Sequence, residues 1–121
     1  MKILITNNPM VNAKQFDEVE KIFLENTNLL DILYLVRDKI HQGHKLLTHP
    51  LSGSIKPDQT PYKSIMITKD AGELDFESLK LIEDSIAVAK GMIGDKAAPK
   101  AHLEDFQLID LSLIESGLKI N

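Results

Sequence analysis

The sequence predicts an α/β protein. It predicts one layered domain over residues 1–121, built on a small, mostly parallel four-stranded sheet flanked by helices. Three observations carry this. Short apolar, β-branched runs alternate with longer amphipathic stretches, the pattern of a layered α/β domain. The apolar runs are continuous rather than alternating, which suits strands covered on both faces. The chain of 121 residues, 43% hydrophobic and 26% charged, has the size and balance of a single core.

The first strand is "KILIT", Lys2–Thr6, ended by the turn signal "NNP". Pro9–Phe16 follows as a short helix, with proline tolerated in its first turn. Glu18–Glu25 reads as the second strand, with Val19, Ile22, Phe23 and Leu24 as its apolar residues. Asn26–Gly43 is the clearest helix, because Leu29, Leu33, Val36 and Ile40 recur at helical spacing. Thr27 or Asn28 can cap its start, Asp31 complements the dipole there, and Gly43 is placed to stop it. Lys45–His49 reads as a third strand and Ser64–Thr68 as a fourth, joined by the irregular stretch 50–63. That link has no evident helix, so the direction of the fourth strand is open. A second long helix is capped by Asp75, with Leu79, Ile82, Ile86, Ala89 and Ile93 on its inner stripe. Leu81, Val88 and Met92 widen the stripe, so this helix should be covered both by the sheet and by another helix. The last stretch, with Leu111, Ile114 and Leu118 on one face, is expected to be partly helical and to supply that cover. Asp95–Lys100 is a linker.

Composition excludes several function classes. The chain has no cysteine, which rules out disulfides, thiolate metal sites and cysteine nucleophiles and is compatible with a reducing compartment. A net charge of −4 disfavours nonspecific binding to nucleic acid or to an anionic membrane. The amino-terminal apolar run is too short for a signal peptide or a membrane span, so a cytoplasmic location is expected. The charge is uneven. Between His41 and Ser64, Lys45, Lys56 and Lys63 face Asp58 alone, a net +2 that leaves −6 to the rest of the chain. A mildly basic island of this kind suits a small anion.

The candidate site lies in and around that island. Ligands of open α/β sheets sit outside the carboxyl ends of the strands. Asn7 and Asn8 follow the first strand and His49 ends the third; if these strands are parallel neighbours, the three side chains converge. "SGSIKP" adds Ser52, Gly53 and Ser54, whose hydroxyls and free amides can form an anion-binding nest, and Lys56, which adds a charge. The P-loop spacing is absent. Thr60 and Tyr62 can bond the loop to itself, and Pro50, Pro57 and Pro61 stiffen it. His41, His44 and His49 invite a metal reading, but a strand rising about 3.3 Å per residue would hold its ends roughly 15 Å apart, too far for one zinc ion. No metal or cofactor is expected.

The stretch "RDKIHQGHKLLTHPLSGSIKPDQTPYKS" also resembles the GrdX family, small proteins encoded with the glycine reductase system of amino-acid-fermenting anaerobic bacteria. The resemblance extends to "ITNNPMV", "LDFESLKLIEDSI" and "LEDFQLIDLSLI", and so covers nearly the whole chain. It implies a bacterial accessory of glycine, sarcosine or betaine reduction, with reductase components as partners. It assigns no catalytic residue. That chemistry runs on selenol and thiol groups, so a chain without cysteine is not a covalent carrier in it. Three readings follow. The first is a non-catalytic accessory domain that binds a small anionic ligand or a partner through loop 49–64; the resemblance also allows an undefined side reaction on an acetyl-phosphate-like anion. The second is an enzyme of unknown reaction using His49, Ser54, Lys56 and Tyr62. The third is a structural protein, such as a homodimer with the loop as its interface.

Overall fold

Alternation along the strands sets the layers. In the computed structural model, which describes residues 1–51 and 56–120, β1 is Lys2–Thr6, β2 is Val19–Phe23 and β3 is Ser64–Thr68. They form a three-stranded sheet in the order β2-β1-β3. Ile3 and Ile5 of β1, with Ile65 and Ile67 of β3, face one side; Leu4 and Met66 face the other. Strand side chains alternate between faces, so both faces of the central strands are apolar and both need cover.

Helices α2 (Leu29–His41) and α3 (Phe76–Ile93) cover the first face and pack on each other. Leu29, Ile32, Leu33, Val36 and Ile40 of α2 and Ile82, Ile86 and Ala89 of α3 join the strand isoleucines in one core. The short α1 (Pro9–Ala13) and the long α4 (Leu103–Ile120) cover the second face, where Val11 and Ile114 meet Leu4 and Met66. Local signals fix the helix starts. Asn28 and Asp31 form a reciprocal capping box on α2. Asp75 caps α3 by accepting from the Ser78 amide at 3.2 Å. Gly43 ends the α2 region at φ +107°, and a β-carbon there would stand 2.1 Å from the Gly72 carbonyl oxygen, so only glycine fits.

Three sequence expectations are corrected. The sheet has three strands rather than four, and it is mixed rather than mostly parallel: β1 pairs with β2 in parallel but with β3 antiparallel. Antiparallel neighbours need no crossover helix, and residues 49–51 and 56–63, the described parts of the connection into β3, form none. Lys45–His49 is not a strand. It lies along the outer edge of β3 with the single antiparallel bridge Leu46–Ile67. Backbone bonds to β3 remain, from the Thr68 amide to the Lys45 carbonyl and from the Leu47 amide to the Met66 carbonyl, but side chains interrupt a regular ladder: Thr68 Oγ1 accepts from the Lys45 amide, Ser78 Oγ from the Leu46 amide and Thr48 Oγ1 from the Met66 amide. His44, just before this segment, is buried and donates from Nδ1 to the Thr68 carbonyl at 2.7 Å. Finally, the helix that covers α3 is α2. Helix α4 lies across the sheet, and Val88 and Met92 stay exposed.

Candidate functional site

Thr6 ends β1 on the same face as Leu4, opposite Ser64 at the start of β3. That face is polar at this end of the sheet. Thr6 Oγ1 and Ser64 Oγ are 2.6 Å apart, and Ser64 Oγ donates to Asp110 Oδ2 at 2.7 Å. The Ser64 amide donates to Asp110 Oδ1 at 3.1 Å. Asn8 Nδ2 donates to Asp110 Oδ2 at 3.0 Å and to the Gln107 carbonyl at 2.8 Å. Asp110 is 6% exposed and thus accepts three bonds on its two oxygens. These bonds offset the cost of burying a carboxylate and clamp α4 to the sheet.

Asn7 and Asn8 are committed to this architecture. Asn7 Oδ1 accepts from the Lys63 amide at 2.9 Å, while its Nδ2 donates to the carbonyls of Thr27 and Pro61. One amide side chain thereby ties the loop before β3 to the turn before α2. Asn8 Oδ1 accepts from the Met10 amide and caps α1.

A cavity of about 30 Å³ opens beside this network, enough for roughly two waters. Leu51, Pro57, Thr60, Tyr62 and Lys63 line it from the loop; Phe106, Ile109, Asp110 and Leu113 line it from α4; Leu29 closes it. Gln107 Nε2 donates to Tyr62 Oη at 2.7 Å, which leaves the phenolic proton free to be donated elsewhere. Lys63 is 9% exposed. No hydrogen bond or ion pair links its Nζ to another described residue. Burial holds its ammonium below the ordinary lysine range, and the charge of Asp110 opposes that effect. A largely buried lysine with no bonded partner for its ammonium among the described residues is costly, and the charge of Asp110 offsets part of that cost.

The loop is held in place around the cavity. Lys96 binds Asp58 Oδ2 at 2.7 Å and keeps that carboxyl below its usual range, tying the loop to the linker after α3. The Thr60 hydroxyl accepts from the Tyr62 amide at 3.1 Å. His49 is exposed, and its Nδ1 accepts from the Leu51 amide at 3.0 Å. It does not adjoin Asn7 and Asn8, because the 44–48 segment lies on the far edge of β3. Lys56 is exposed and does not line the cavity; Tyr62 does. Ser52, Gly53 and Ser54 lie outside the described residues.

Lys63 and Asp110 are absent from the residues expected at the site. A signal for Asp110 exists in the sequence: it falls four residues from both Phe106 and Ile114, so a carboxylate stands on the apolar stripe of its helix. Lys63 had only its place just before the apolar run "SIMIT".

Residues 3–119 match the family model described as GrdX-like protein. The chain belongs to the GrdX-like protein family. No curated protein matches it, and no solved structure matches it. Among the described residues of this GrdX-like chain, no helix is long and apolar enough to cross a membrane. No group of three or more histidine and carboxylate side chains among them could hold a metal ion.

Proposed function

We propose that this GrdX-like protein is an accessory of glycine, sarcosine or betaine reduction that holds a small anionic ligand through segment 49–64. Its charged contact is Lys63, and the hydroxyls of Thr60 and Tyr62 supply directional bonds. The observation that supports this reading is the buried Lys63 beside a cavity, with no ion pair to a described residue. An anion seated there would supply the missing countercharge, and the apolar walls would strengthen the attraction. The residual basic charge of the loop, with Lys56 exposed at its surface, favours anion approach. The size of the cavity favours an ion of few atoms over a nucleotide.

Thermal unfolding in phosphate, acetyl phosphate, glycine and betaine tests this reading. Phosphate and acetyl phosphate should stabilise the wild type by mass action, about 2.7 kcal/mol at one hundred times Kd, and raise Tm by several degrees. Glycine and betaine, zwitterions without net charge, should do less. Lys63→Met should abolish the response. No shift with either anion, or the same shift in Lys63→Met, contradicts the proposal.

A further inference from the structure

The root of the Lys63 side chain is fixed. Its amide donates to Asn7 Oδ1 at 2.9 Å, and its carbonyl accepts from the Asn7 amide at 3.4 Å. The side chain therefore enters the cavity wall from a rigid point at the start of β3. Three polar neighbours line the same cavity: Thr60, Tyr62 and Asp110. Asp110 lines the same cavity and is held in place by three bonds, two on Oδ2 and one on Oδ1. No bond joins it to the Lys63 amine, and its charge favours a positive charge in the cavity through space. Tyr62 has a proton to give, because Gln107 already supplies a bond to its oxygen. An amine on a fixed backbone, a hydroxyl able to protonate an oxygen and a carboxylate, all lining one partly apolar cavity, form the set needed for carbonyl condensation.

We propose that Lys63 is a nucleophilic amine that condenses reversibly with a small aldehyde, and best with one that carries a carboxylate. The Nζ lone pair attacks the carbonyl carbon, and Tyr62 donates its proton to the carbonyl oxygen as the C–N bond forms. The nitrogen of the adduct returns one proton to Tyr62, and the carbinolamine then loses water: the C–O bond breaks, the oxygen departs with the hydrogen it received and with the second N–H hydrogen, and Tyr62 ends as it began. The product is an imine. When the imine is protonated, the through-space field of Asp110 stabilises the iminium charge. Burial favours the neutral, nucleophilic form of the amine. This inference shares its cavity with the anion-binding reading and rests on it for the preference for a carboxylate. It uses the free base of Lys63 where anion binding uses the ammonium, so phosphate should slow the condensation.

The test is reductive trapping on the intact protein. The wild type is incubated at neutral pH with glyoxylate and sodium cyanoborohydride, digested, and its adducts are mapped and timed by mass spectrometry. Lys63 should label first, roughly tenfold faster than the exposed Lys56, Lys80, Lys90 and Lys100 for each pKa unit that burial removes. Phosphate should slow the Lys63 adduct and leave the exposed ones unchanged, and Tyr62→Phe should slow it with the fold intact by circular dichroism. Labelling spread evenly over the exposed lysines overturns the inference, as does a Lys63 rate no greater than theirs. Stabilisation by phosphate without a Lys63 adduct would overturn the imine and leave anion binding standing. A rapid Lys63 adduct without any stabilisation by phosphate would support the imine and count against anion binding.

Discussion

Replacing Asp110 with Ala should destabilise the protein by about 3–5 kcal/mol, the usual cost of removing one member of a buried, hydrogen-bonded charge network. The loss is larger than one interaction because several groups are orphaned together. The Ser64 amide, the Ser64 hydroxyl and one bond of the Asn8 amide group all lose their acceptor in a buried place. Lys63 also loses the charge of Asp110, which favours its ammonium form. Asp110→Asn should cost less, about 1–3 kcal/mol, because one oxygen still accepts while the new amide meets the amide of Asn8. Urea unfolding measures both. A shift of the midpoint without a change in slope is expected; a loss under about 1 kcal/mol for Asp110→Ala would show that the network is not what holds α4 to the sheet.

Lys63→Met should have the opposite sign. A methionine fills similar volume without charge, and exchanging a buried ionic group for an apolar one is often neutral or stabilising by about 1–4 kcal/mol. The backbone bonds of Lys63 to Asn7 do not depend on its side chain. The pH dependence follows from the same burial. The folded-state pKa of Lys63 is lowered from 10.5, with Asp110 and Tyr62 as the other titratable groups lining its cavity. Between the folded pKa and 10.5 the unfolded chain binds more protons than the native one, so the stability from this residue rises with pH across that window. Below the folded pKa the full penalty of a buried ammonium applies. The wild type should therefore gain stability relative to Lys63→Met as pH rises toward 10.5, measured by urea unfolding at a series of pH values. A Lys63→Met protein that is strongly destabilised at neutral pH would mean that the lysine holds the fold together rather than serving a ligand.

Much of this fold was legible in the sequence because local chemistry decides it. Lys2–Thr6 and Ser64–Thr68 are strands as their apolar runs suggest, and Asn28, Asp31 and Asp75 cap the helices they precede. The face of α4 with Leu111, Ile114 and Leu118 does pack inward. What stayed hidden depends on pairing across distance. "KLLTH" looks like a strand and does bond to β3 through its backbone, yet the hydroxyls of Thr68, Ser78 and its own Thr48 take up amides that a regular ladder would pair and leave one bridge. An amphipathic helix does not reveal which face of a sheet it covers, and α4 covers the face away from α3. The same limit governs the site. Asn7 and Asn8 were legible as polar residues at the carboxyl end of β1, but their tertiary partners, which employ both side chains in structure, were not. Lys63 read as one more charge in a basic loop, because its burial arises only when α4 folds over it.

Lys63 is largely buried and its amine has no bonded partner among the described residues, and the proposed ligand role rests on that. That role is tested most directly by following the ionisation of each lysine by carbon-detected NMR of the ε-carbons, with and without phosphate. Lys63 should titrate clearly below the exposed lysines in buffer alone, and phosphate should move it back up toward them, since an anion binds the ammonium and not the free amine. A Lys63 that titrates with Lys56 and Lys90 and ignores phosphate would contradict the account.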